Sequence, residues 1–108
     1  MGKAKLEAVR LAQDFKEKAR KKYGIQRVIL FGSQAIGSAK TGSDIDLLIV
    51  SDKFRNRAKF MSQLYSEWHI SQKKRLPVDF LCFTKKEFRR MSKQITIVKQ
   101  ALEEGMEI

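Results

Sequence analysis

The chain has one cysteine, one proline and one histidine among its 108 residues. A lone Cys82 excludes an internal disulfide, and its place within an apolar, strand-like run fits a small core side chain in a reducing compartment. His69 has no cysteine or second histidine near it in sequence, which excludes a zinc site. No apolar run reaches the roughly 18 residues a membrane-spanning helix needs. Met1-Gly2-Lys3-Ala4-Lys5 leads into an amphipathic pattern rather than an apolar leader, so the expectation is a soluble, cytoplasmic protein with no membrane partner. There are no internal repeats and no low-complexity linkers. Acid is also scarce: 12 Asp and Glu stand against 23 Lys and Arg, a net charge of +11. The excess runs along the whole chain, which suits a polyanionic ligand, an acidic partner or a well-solvated surface. Its densest cluster is Lys73-Lys74-Arg75, but no aromatics alternate with it, so a stacking platform for single-stranded nucleic acid is poorly supported.

What is present suffices for one domain over residues 1–108, with 43% apolar residues and a modest core. A large substrate would have to be gripped with the help of a partner chain. Ala4, Ala8, Leu11, Phe15 and Ala19, with Leu6 and Val9, recur at helical spacing up to Tyr23, and Gly24 ends that helix. Ile25 to Phe31 is a buried strand that stops at Gly32-Ser33. Gln34 to Ala39 forms a short helix or turn, and Lys40 to Ser43 a loop. A second strand spans Asp44 to Val50. Phe54, Ala58, Met61, Leu64, Tyr65 and Trp68 mark a second amphipathic helix from Phe54 to Gln72, with Trp68 in the core. A third strand, Leu76 to Phe83, carries Pro77 near its start, where the missing donor does least harm. Thr84-Lys85-Lys86-Glu87 reads as a capping box. A last helix runs from about Gln94 to Glu104 and stops at Gly105, leaving Met106 to Ile108 for an edge strand. The order predicts an α/β (α+β) domain, a small mixed β-sheet flanked by helices, and not a doubly wound dinucleotide fold.

The chemistry lies in three short motifs. Residues two apart on a strand share a face, so Asp44 and Asp46 project together while Ile45, Leu47 and Ile49 enter the core. Two carboxylates that close repel unless a cation lies between them, and a hard ion such as Mg²⁺ is the natural one. Taken alone, such a pair also suits the frayed start of a strand. Upstream, Gly32-Ser33 ends a strand before a helix start, an arrangement that can aim backbone amides and a hydroxyl at phosphate oxygens. Downstream, Asp79 interrupts an apolar strand where an unpaired acid is costly. If the second and third strands are neighbours, Asp79 joins Asp44 and Asp46 in a site for two metal ions that serves phosphoryl or nucleotidyl transfer.

Gly32-Ser33, Gly37, Ser43-Asp44-Ile45-Asp46-Leu47 and Val78-Asp79 resemble, in order and spacing, the signature of the nucleotidyltransferase superfamily related to the DNA polymerase β palm. The closest likeness is to its minimal nucleotidyltransferase (MNT) group. The likeness extends over nearly the whole chain, including the closing Glu104-Gly105-Met106-Glu107-Ile108. It implies a polymerase β palm-like fold in which Gly32, Ser33 and Ser43 bind the nucleotide, and Asp44, Asp46 and Asp79 hold two Mg²⁺ ions. Asp79 would also help activate an acceptor hydroxyl. The reaction implied is transfer of a nucleoside monophosphate, AMP from ATP, to a hydroxyl of a partner protein. The group's antitoxins, paired with HEPN-domain toxins, supply the implied partner, and self-association is a further expectation. One departure is that family members often carry arginine around the positions of Gln34 and Ile36, where a guanidinium could grip phosphate bidentately; Lys40 could compensate. That departure keeps open a catalytically weak, binding-only antitoxin. The charge of +11 keeps open a basic nucleic-acid-binding domain or metal-dependent nuclease.

Overall fold

A computed structural model describes residues 3–36, 44–71, 76–94 and 96–108. Gly37, Lys40 to Ser43 and the Lys73-Lys74-Arg75 cluster lie outside the described residues.

Helix α1 covers Lys3–Tyr23 and buries Ala8, Ala12, Phe15, Ala19 and Tyr23. Ala8, Phe15 and Ala19 of the expected stripe are buried, Ala12 joins them, Leu11 and Val9 pack at its margin and Leu6 is exposed. Three of the five buried residues are alanines, which let the helix axis approach the sheet closely. Gly24, at φ +58°, ends the helix in the left-handed conformation, and the Ile25 amide donates back to the Arg20 carbonyl at 3.0 Å.

Strand β1 is Arg27–Phe31, helix α2 Gly32–Ile36 and strand β2 Ile45–Val50. The expected single second helix is two pieces, a 3-10 turn over Asp52–Asn56 and helix α3 over Arg57–Ser71. The break lies at Phe54, whose ψ of 16° is not helical, and Ser51 caps the 3-10 turn. Buried after β2, its hydroxyl donates to the Tyr23 carbonyl at 2.6 Å and accepts from the Lys53 amide, tying the turn to the end of α1. Strand β3 is Val78–Phe83. Helix α4, Lys85–Met91, opens on the expected capping box, with Thr84 and Glu87 bonding each other's backbone amides. Helix α5, Ile97–Glu104, leads through Gly105 into strand β4, Met106–Glu107.

The strands form one mixed sheet in the order β3-β2-β1-β4, with β2 and β3 parallel and the other pairs antiparallel. Both faces are covered. Val28, Leu30, Ile45, Leu47 and Ile49 pack with α1 and α3 around Phe15, Trp68 and Phe80, while Ile29, Leu48 and Val50 pack with Phe88, Val98 and Ala101 of α4 and α5. This explains the unbroken Leu-Leu-Ile-Val run, since a strand buried on both faces has no polar alternation. Trp68 lies in the core as expected and donates its indole N–H to the Leu76 carbonyl at 2.8 Å. Cys82 is buried too, and burial pushes its thiol up to about 12, which makes it a packing residue rather than a nucleophile. His69 is exposed. Among the described residues no helix is long and apolar enough to cross a membrane.

Candidate active site

The strand directions bring the end of β1 and the starts of β2 and β3 to one edge of the sheet. In register, Phe31 lies opposite Asp46, and Asp46 opposite Asp79. Cross-strand partners project to the same side. Phe31, Asp46 and Asp79 therefore form a row across three strands, on the face that Leu48 and Val50 share with α4 and α5. Asp44 sits immediately before β2, exposed, with Asp46 half-buried and Asp79 exposed. The expectation that β3 lies beside β2 and brings Asp79 alongside Asp46 is met in this register.

Gly32 closes the row. Its φ is +73°, and a Cβ built there would collide with Asp46 Oδ2 and lie 3.2 Å from the carboxyl carbon. Only glycine gives this turn both its left-handed backbone and the space that the carboxylate occupies. The glycine-serine turn and the Asp-x-Asp strand, separate in sequence, are thus in contact. Ser33 follows in the first turn of α2, half-buried; Ser43 lies outside the described residues.

Asp46 has its pKa raised above the ordinary aspartate value, first by burial and then by the negative charges of Asp79 and Asp44. Asp46 therefore feels the charge of both other acids. The three share a face without closing into a cage: among the described residues no group of three His, Cys, Asp or Glu side chains is drawn together tightly enough to hold an ion as it stands. The donor set nevertheless fits a hard divalent cation, because it offers only carboxylate oxygens and a cation would offset the repulsion that Asp46 meets from Asp79 and Asp44.

The two positions of the arginine departure differ. Gln34 is 2% exposed and turned into the interior, whereas Ile36 is 59% exposed at the end of α2. Position 36 is the one from which a longer cationic side chain would reach solvent beside the site.

Other residues at this edge were not singled out from the sequence. Phe31 and Gly32 form one wall of a pocket of about 200 Å³ whose other wall is a stripe of α5, Ile97, Gln100, Ala101 and Glu104. Alternation along β1 could have put Phe31 on the face of Asp46, but only with the strand register in hand. No local signal ties α5 to the site, because that pairing depends on the whole topology.

A mixed sheet with helices on both faces, a glycine admitting a carboxylate at its edge and a row of acids beside it define the nucleotidyl-transferring class of small α/β domains. The nucleotidyltransferase domain family matches residues 12–104, and the chain belongs to that family. Its structure is similar to that of a candidate nucleotidyltransferase from Sulfolobus solfataricus, with a TM-score of 0.59 and 26% identity over 83% of this chain and 82% of that one. Among curated proteins no match to the chain is found. The superfamily resemblance carried by the motifs is borne out, and so is the mixed α/β fold.

Proposed function

We propose that the protein is a Mg²⁺-dependent nucleotidyltransferase that moves AMP from ATP to a hydroxyl of a partner protein. The observation that carries this reading is the contact between Gly32 and the Asp46 carboxylate, in register with Asp79. Asp44, Asp46 and Asp79 would hold the ions, which when bound would polarise the α-phosphate and lower the pKa of the acceptor hydroxyl. The turn at Gly32 would present its backbone amides to phosphate oxygens, and the Ser33 hydroxyl would donate to them. Ser43 is assigned to the nucleotide by the family motif alone. Asp79, the most outlying acid of the row, would receive the acceptor's proton. The acceptor oxygen then bonds to the α-phosphorus as the bridge to the β-phosphate breaks, and pyrophosphate leaves with that electron pair.

The partner is drawn from the MNT resemblance: a HEPN-type toxin that this protein would neutralise as its antitoxin. The test is incubation of the protein with α-labelled ATP, Mg²⁺ and a HEPN protein encoded beside it, in parallel with Asp46→Asn. Label on the partner that disappears with the variant supports transfer. Neutralisation of the partner by both forms without labelling would replace this reading with a binding-only antitoxin, which the uncharged Gln34 and Ile36 favour.

A further inference from the structure

We propose that the pocket between Phe31 and α5 seats the nucleobase of the nucleotide and recognises adenine. This rests on the nucleotidyl-transfer reading above. With triphosphate at Gly32 and the acceptor arriving at Asp79, the donor nucleoside is left the Phe31 side of the row, where Asp46 separates it from Asp79. The pocket opens there and shares Gly32 with the phosphate turn. At about 200 Å³ it falls below the roughly 300 Å³ at which pockets take drug-sized molecules, so it suits one ring system rather than a whole nucleotide.

Its walls have the character a base requires. Phe31 is a half-buried ring, and Ile97, 47% exposed, lines the same pocket from α5. Together they form two sides of an apolar slot for a flat ring. Residues 97, 100, 101 and 104 recur at helical spacing, so Gln100 and Glu104 follow Ile97 along the same wall. The Gln100 amide donates to Glu104 at 3.4 Å, a linked amide and carboxylate along the slot. An amide meets adenine through its paired donor and acceptor edge, and a carboxylate accepts from an exocyclic amine.

The test measures equilibrium binding, with Mg²⁺ present, of ATP, GTP and inorganic tripolyphosphate to the wild type, Ile97→Ala and Gln100→Ala. Both substitutions are on exposed positions of α5, and circular dichroism confirms that each variant is folded. The wild type is expected to bind ATP about tenfold more tightly than tripolyphosphate. Each variant should lose most of that advantage while binding tripolyphosphate as before. Equal wild-type affinity for ATP and tripolyphosphate, or variants that weaken both alike, would overturn the pocket and leave the transferase reading standing. Preference for GTP would overturn the adenine assignment. Failure of the wild type to bind any of the three would sink both readings.

Discussion

Asp46 is held on three sides by things that disfavour its charge: burial, Asp79 and Asp44. Its folded-state pKa is raised, so the folded protein binds that proton more tightly than the unfolded chain. Without metal, its ionisation therefore costs stability progressively as pH rises above 3.8, and the cost is complete once pH exceeds the raised folded value. Asp46→Asn is expected to be more stable than the wild type near neutral pH in EDTA, with the difference vanishing toward pH 4; urea unfolding of both across that range checks it. A difference that does not change with pH would contradict the assigned cause. Mg²⁺ should raise the unfolding midpoint of the wild type and leave that of the variant unchanged. Gly32→Ala tests the same contact from the backbone side. The new methyl must displace the Asp46 carboxylate and sit at φ +73°, a conformation costing an L residue about 1–2 kcal/mol. Transfer should fall at least ~10²-fold through misplacement of the acid. A variant of wild-type activity would mean that Asp46 does not need its present position.

Among the elements, β3 is an edge strand whose outward polar groups are met by α3. The Tyr65 hydroxyl accepts from the Phe80 amide at 3.1 Å, and Arg57 Nε donates to the Cys82 carbonyl at 3.1 Å. An open edge would invite pairing with another chain. Arg57 also reaches Glu87, joining that edge to the capping box of α4. The Glu87 carboxyl is held below its usual range, chiefly by its hydrogen bond to Arg57 and then by the Thr84 amide. Thr84→Ala should cost about 1 kcal/mol in denaturant unfolding, whereas an unchanged midpoint would show that α4 is held by Phe88 alone. The capping box was legible because it is local chemistry over four residues, as were α1 up to Gly24 and Asp46 among the core residues of β2. Ser51 was not legible: a serine after a strand is an ordinary loop residue until α1 brings the Tyr23 carbonyl against it. The same holds at the site. Gly32, Asp46 and Asp79 stand out by residue type, while Phe31, Ile97 and Gln100 come to line one pocket only after α5 folds over β1.

Across the whole molecule, charge of one sign prevails. The chain carries a net +11, and its ion pairs include Arg27 with Glu107 at 2.8 Å and Arg57 with Glu87 at 2.6 Å. Both involve partly exposed side chains, where an ion pair contributes roughly 0–1 kcal/mol. Repulsion among so many cations is relieved when the chain unfolds and separates them, so it weighs against the compact state. Salt screens it, over a Debye length of about 10 Å at 0.1 M. The expected outcome is a thermal midpoint that rises by several degrees as NaCl goes from about 20 to about 300 mM, a change of order 1 kcal/mol for a domain of this size. EDTA is kept present so that the acidic row at Asp46 does not respond to stray divalent ions. The opposite slope would mean that ion pairs and helix-end charges outweigh the general repulsion. A flat response would mean that the cations lie too far apart to interact, and the positive charge would then act on a polyanionic partner without weakening the fold that carries it.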